Sequence, residues 1–314
     1  EDTLSLHDAL PIFMLNVVKL RYIWYTVSAV TIGLSIIFLA TWGLKQGIDF
    51  TGGTLMAVHF DERPSSADVQ RVLDEAHLNL GSIVIQPIGD SDMQFRVKPL
   101  TQEEHASLLT ALKARYPSVN ELRFDTIGPV VGEELRRKSI EGLVVALLAI
   151  LVYVAYAFRK VSAPVQSWKY GLITIFTAFH DVIVPLGVFA WLGHTRDVEV
   201  GTSFIAAILT ILGYSITDTI VVLDRVRENL TKRSGSFAEI VEASVHQTFL
   251  RSFNTSVTTL LTLTAVHFFG GASLHDFTLT LMIGIAVGTY SSIFVASPLL
   301  VSWHLWSAKR QALS

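Results

Sequence analysis

"LTILGYSITDTIVVLD", residues Leu209–Asp224, decides the fold of this chain. Its apolar residues belong in lipid, yet Asp218 sits among them between Thr217 and Thr219. A carboxylate at the centre of a membrane helix costs roughly 2.5–3.5 kcal/mol on insertion scales. A stretch that carries such a cost points to a membrane protein with a use for an acid inside the bilayer.

The whole chain fits that class. Of 314 residues, 51% are hydrophobic and 16% charged, and the mean hydropathy is +0.48. Such values belong to membrane proteins. The formal net charge of -3 says little about partners, but no basic stripe combines with stacking aromatics, so no nucleic-acid partner is expected. Cysteine is absent, which excludes disulfides, thiol catalysis and thiolate metal sites.

A bilayer crossing needs about 17–25 apolar residues. Six stretches qualify: Ile23–Trp42, Ile140–Phe158, Tyr170–Leu192, Ser203–Leu223, Ser252–Phe269 and Phe277–Trp303. The expected organisation is a tail over 1–22 and a first span over 23–42. An exported domain over 43–138 follows, then spans two to six over 139–308 with a loop at 224–251, and a tail over 309–314. Residues 1–13 lack an initiator Met, a basic start and a cleavage site. They read either as a non-native extension or as an ordinary tail.

Lys and Arg near span ends set orientation. Lys19, Arg21, Arg159, Lys160, Lys169, Arg225, Arg227, Lys232, Arg233, Arg251, Lys309 and Arg310 all fall on one side. That side is assigned to the cytoplasm, with both termini. Only Arg196 lies in the opposite short loops, whereas Arg136, Arg137 and Lys138 before the second span dissent. The rule is weaker beside a large translocated domain.

The stretch of about 90 residues between the first two spans reads as an α+β domain. "GGTLMAVHF" suits a strand and "SSADVQRVLDEAHL" a helix capped by the Ser pair. "SIVIQPI" and "MQFRVKP" suit a hairpin across "GDSD". "TQEEHASLLTALKARY" opens on a Thr101/Glu104 capping box, and "NELRFDTIG" adds a strand. The order β-α-β-β-α-β predicts a ferredoxin-like fold, which fixes no function.

On an ideal helix at about 100° per residue, Ser203, Thr210, Tyr214, Thr217 and Asp218 share one arc, with Ser215 somewhat outside it. On the fifth span, Arg251, Asn254, Thr255, Thr258 and Thr262 form a matching stripe. The hydroxyls suit interhelical hydrogen bonds. Asp218 is different, because an intramembrane acid is a functional site by default. Arg251 either snorkels to the headgroups or forms a switchable ion pair with Asp218. The third span holds "FHDVIVP": His180 and Asp181 precede Pro185, whose missing N–H leaves the Asp181 carbonyl free and favours a kink. That pair reads equally as an extension of a proton relay or as a structural hydrogen bond. Gly284 and Gly288 make a GxxxG for close helix packing, and Glu141 reads as interfacial. "GGTL" lacks the G-K-[ST] of a phosphate loop, and no H-E-x-x-H or nucleophile elbow is present.

"GIDFTGGT", with Gly47, Asp49, Gly52 and Gly53, resembles the signature of the SecD/SecF protein-export membrane subunits. "GYSITDTIVVLDRVREN", "HDVIVPLG" and "LRSFNTSVTTLL" are similar to segments of the SecF side of that family, and the similarity runs from about Val18 to the C-terminus. The short exported domain argues against SecD. Membership implies the RND superfamily, a SecD partner in a twelve-span unit beside the SecYEG channel, and help to a translocating preprotein at the bacterial inner membrane. The implied coupling ion is the proton, with no other cofactor. The family's functional fourth-span Asp falls on Asp218 and its fifth-span Arg on Arg251. His180 and Asp181 are not equally secured by it, and residues 1–13 match nothing in it. Lipid disfavours a bare carboxylate, and a nearby guanidinium stabilises one. Alternation between those surroundings would link protonation to helix movement.

Three other classes compete. An intramembrane aspartyl protease could use Asp181 and Asp218 sharing a proton, but "SITD" lacks the G-x-G-D context. A passive scaffold would use the seams only to hold SecD. A small-molecule RND pump would need a larger exported cavity.

Overall fold

The computed structural model describes residues 16–157, 159, 165–271 and 274–313. Residues 1–13 and the expected positions of Phe158 and Lys160 lie outside them. Contacts divide the chain into two compact units. One comprises the described residues before Lys45, Ala146–Val198 and the residues from Ala206 onward; the other comprises Lys45–Val145 with Glu199–Ile205.

The first unit is helical: α1 (Arg21–Thr41), parts of α5 (Pro129–Ala157) and α7 (Thr202–Lys232), and all of α6 (Ser167–Arg196), α8 (Phe237–Phe269), α9 (His275–Ser291) and α10 (Ser297–Leu313); the short α2 (Ile48–Thr51) belongs to the other unit. Among the described residues, five helices are long and apolar enough to cross a membrane: α1, α5, α6, α7 and the run His275–Arg310. The expected fifth span lies in α8 and is not among them. Asn254, Thr255, Thr258 and Thr262, with neighbouring Thr259 and Ser256, dilute its apolar character. The expected loop 224–251 is mostly helix. α7 continues to Lys232 and α8 starts at Phe237, where Ser236 and Glu239 form a capping box. That reciprocal cap satisfies two backbone donors and restarts the helix early.

Small residues set the packing of this unit. A Cβ on Gly187 of α6 would overlap Cα and Cβ of Ser35 on α1. On α9, a Cβ on Gly284 would overlap the Ile211 side chain, and one on Gly288 would lie 3.0 Å from Ser215 Cβ. The GxxxG therefore lets α9 approach α7, as small-xxx-small motifs do. Helix α6 runs unbroken through Pro185. Between α9 and α10, Ser292–Ala296 form a π turn. Pro298 supplies a reason: it has no N–H to return to Phe294, so the α ladder cannot be completed there.

The second unit holds a sheet of β1 (Gly53–His59), β2 (Val84–Ile88), β3 (Asp92–Val97) and β4 (Asn120–Ile127), with α3 (Ser66–Glu75) and α4 (Gln102–Arg115). The element order is β-α-β-β-α-β, the strand order β2-β3-β1-β4, and every pairing is antiparallel. Alternation drives it: Met56 and Val58 of β1 and Met93, Phe95 and Val97 of β3 point to one face. There they meet Val69 and Leu73 of α3 and Leu108 and Leu112 of α4. Ser65 caps α3, and Thr101 and Glu104 box α4. The Lys98 ammonium beside Glu104 holds its carboxyl below the usual carboxylate value, and the Thr101 backbone N–H adds to this. Helix α5 begins at Pro129, ahead of the apolar run. The dissenting cations on it are paired along the helix: Arg136 with Glu133 at 3.4 Å, and Arg137 and Lys138 with Glu141 at 3.7 and 3.4 Å.

Candidate functional site

The signature segment is a backbone device. Gly52 and Gly53 have φ of +72° and +128°, conformations that side chains disfavour. A Cβ on Gly52 would lie 2.8 Å from Pro129 Cα, and one on Gly53 3.1 Å from the Val97 carbonyl oxygen. The tight path lets α2 present Asp49 to a distant segment. Asp49 Oδ2 accepts from the Thr202 backbone N–H at 2.7 Å and from Thr202 Oγ1 at 2.8 Å. It thereby caps the start of α7 from outside the helix. Gly47 donates its N–H to the Val200 carbonyl at 2.9 Å, and Val200 returns one to Lys45 at 2.8 Å. Arg96 pairs with Glu199 beside them. No position in the sequence shows that Asp49 and Thr202 meet, because 153 residues separate them.

In the helical unit, Asp218 is partly buried on α7. Its Oδ1 accepts from Ser252 Oγ of α8 at 2.5 Å, and its Oδ2 accepts from Ser292 Oγ at the π turn. Asp218 lines a groove of about 480 Å³ together with Thr210, Tyr214 and Thr217 of α7 and Arg251 and Thr255 of α8. Parts of the two seams thus border one groove. Among the described residues no ion pair within 4.0 Å joins Arg251 to Asp218; Arg251 is exposed.

The seam hydroxyls mostly bond their own helix. Thr210 donates to Ala206 O at 2.8 Å, Thr217 to Gly213 O at 2.8 Å, and Thr255 to Arg251 O at 2.8 Å. Thr258 donates to Asn254 O at 2.9 Å and Thr262 to Thr258 O at 3.0 Å. Asn254 is exposed on the same stripe, and Ser203 is exposed near the start of α7. Interhelical bonding falls to Tyr214 of the seam and to groups outside it. Tyr214 Oη lies 3.1 Å from Ser256 Oγ, which lies 2.5 Å from Thr289 Oγ1 of α9.

Asp181 forms a second centre, fully buried on α6. Its Oδ2 accepts from Ser215 Oγ of α7 and from Ser291 Oγ of α9, the latter at 2.7 Å. Its Oδ1 lies 2.8 Å from His180 Nδ1. His180 is itself buried, and its Nε2 has no hydrogen-bond partner. Asp181 and Asp218 are held by different serines and share no hydrogen bond, which removes the geometry a shared-proton protease pair needs. Sequence reasoning missed Ser252, Ser256, Thr289, Ser291 and Ser292. The one signal available was the Ser-Ser step inside the apolar run "GTYSSIFVA".

Comparison with known proteins places these residues in context. The family described as "Protein export membrane protein SecD/SecF, C-terminal" matches residues 107–306, and the SecD/SecF GG motif matches residues 37–62. A protein translocase subunit SecF from Thermobaculum terrenum is 43% identical over 93% of this chain and 94% of its own. One from Haemophilus influenzae is 37% identical over 91% of this chain and 85% of its own. The crystal structure of SecDF from Thermus thermophilus, a translocon-associated membrane protein, has a TM-score of 0.79 at 35% identity. The match covers 95% of this chain but 39% of that one, so this chain spans well under half of the solved relative.

Proposed function

Because the chain belongs to the SecD/SecF protein-export membrane family, we propose that it acts as the SecF-type subunit of a Sec translocase accessory complex and couples the proton-motive force to preprotein export. In this reading it pairs with SecD beside the SecYEG channel, in the bacterial inner membrane, with both termini cytoplasmic. Helix α8 is read as a sixth crossing. The strand order β2-β3-β1-β4 supports reading the sheet unit as a ferredoxin-like exported domain. Apolar residues left exposed on α1 (Ile23, Val30, Ile37) and α5 (Val145, Leu148, Val152) suit lipid or the SecD helices. The proton is the coupling ion and no cofactor is invoked.

The observation that carries the reading is that Asp218 and Arg251 line one groove between α7 and α8. A protonated Asp218 is neutral and has no charge to draw Arg251. Proton loss leaves a carboxylate whose candidate countercharge is the Arg251 guanidinium, which lines the same groove. Drawing Arg251 across the groove would pull α8 toward α7. One proton moving through 100 mV releases about 2.3 kcal/mol, enough to bias such a two-state arrangement about 50-fold.

The test is gradient-driven translocation of a preprotein after ATP-driven insertion has been stopped. Asp218→Asn keeps size and hydrogen bonding and removes titration. It should leave membrane insertion and SecD association intact and abolish the gradient-dependent part of export. Wild-type export from that variant at normal abundance would leave only a scaffold.

A further inference from the structure

The buried Asp181 and the partly buried Asp218 do not touch, yet consecutive residues hold them. Ser291 donates to Asp181 Oδ2 at 2.7 Å, and Ser292 donates to Asp218 Oδ2. Both serines are fully buried, and they sit where α9 gives way to the π turn. Each also has a competing acceptor three residues back: Ser291 lies 3.1 Å from the Gly288 carbonyl oxygen, and Ser292 3.1 Å from that of Thr289. A hydroxyl carries one proton and must choose. An ionised carboxylate is the stronger acceptor and takes it. A protonated carboxyl competes less well and frees the serine to bond the carbonyl of its own helix. The choice is made at a π turn, a local interruption of the α ladder that recurs at functional sites.

We propose that Ser291 and Ser292 are positioning residues that couple the His180–Asp181 centre to Asp218, so that the proton state of one acid is felt by the other through the joint between α9 and α10. This rests on the proton-carrier reading of Asp218. Asp181 suits a second proton site because His180 Nδ1 lies against it while His180 Nε2 is buried and unpartnered. An unpaired buried nitrogen is costly, and it leaves the pair a place for a proton. Ser215 adds a second link. It bonds Asp181 from α7, three residues ahead of Asp218. The other titratable or charged groups facing the two centres are Tyr214 on α7, Arg251 on α8 and Tyr290 on α9. Tyr290 has its ring centre 6.1 Å from that of His180, and its hydroxyl donates to Trp24 O of α1 at 2.8 Å. Helix α1 adds the neutral Ser28 hydroxyl, 3.2 Å from Tyr290 Oη, and α10 adds Ser297 Oγ, 3.5 Å from Ser292 O.

The experiment is infrared difference spectroscopy across pH on the full chain with its SecD partner in lipid vesicles. The Asp218 carboxyl band is identified by its loss in Asp218→Asn. Asp181→Asn should displace the pH midpoint of that band by about one pH unit, the strength at which two sites titrate as a pair. In a Ser291→Ala, Ser292→Ala background the displacement should vanish. Ser291→Cys with Ser292→Cys keeps the volume but offers only weak donors, and should behave like the alanine pair. Displacement that survives both serine pairs would mean direct charge interaction and overturn the proposal. Displacement lost with alanine but kept with cysteine would assign it to packing and also overturn it. A band that titrates but ignores Asp181 sinks this inference alone. A band that never appears sinks the proton reading beneath it.

Discussion

Replacing Asp49 by Ala removes the outside cap of α7. The Asp49 carboxylate accepts two bonds from Thr202, at 2.7 Å from its backbone N–H and 2.8 Å from its hydroxyl. Loss of an N-cap costs about 0.5–2 kcal/mol, and hydrogen bonds to a charged group contribute about 1.5–3 kcal/mol. Thr202 is only partly buried, so water recovers part of the loss. A net of about 2 kcal/mol for opening the first turn follows, close to a 30-fold faster exchange at about 1.4 kcal/mol per factor of ten. Hydrogen exchange of the Thr202 amide in the full chain reads this directly. Asp49→Asn keeps one acceptor oxygen and loses the charge at the helix N-terminus, so its effect should be smaller, about tenfold or less. Thr202 exchange unchanged in Asp49→Ala would refute the claim that the signature segment serves to anchor α7.

Gly187→Ala should weaken the α1–α6 contact by about 1–3 kcal/mol, because the new methyl meets the Ser35 backbone rather than a flexible tip; a lower thermal midpoint in detergent checks it. Arg251→Lys should reduce gradient-driven export less than Arg251→Met, since Lys keeps the charge but not the planar fork; equal export by the two variants would count against a charge role. The carboxyl of Glu104 is held below its ordinary value of 4.5. Its contribution to the stability of the sheet unit is therefore complete above that value and fades as pH falls through the lowered one. Acid unfolding should show this dependence in the wild-type chain and lose it in Glu104→Gln.

The parts of the fold legible in the sequence were those fixed by local pattern. Period-two apolar residues in "TLMAVHF" and "MQFRV" and the Thr101 capping box located β1, β3 and α4 because their signals lie within one element. Five of the six expected crossings match helices of sufficient hydropathy among the described residues; in α8 the Thr and Asn stripe, of which Thr255 lines the groove, lowers the apolar content by which a crossing is recognised. Asp218 and Asp181 stood out because charge is rare in such runs. Their actual partners did not. Serine is common in membrane helices, and whether Ser252, Ser291 or Ser292 faces an acid depends on how α7, α8 and α9 are rotated against one another. That rotation follows from Gly284 and Gly288 meeting Ile211 and Ser215, a tertiary fact with no local signature.

Proton flux is the measurement closest to the central claim. Vesicles containing the chain with its SecD partner, loaded with an internal pH dye, are given an inward proton gradient. The account predicts faster dissipation with the wild-type chain than with Asp218→Asn at equal protein content, and intermediate dissipation with Arg251→Lys. Equal rates for wild type and Asp218→Asn, with both complexes intact, would contradict it.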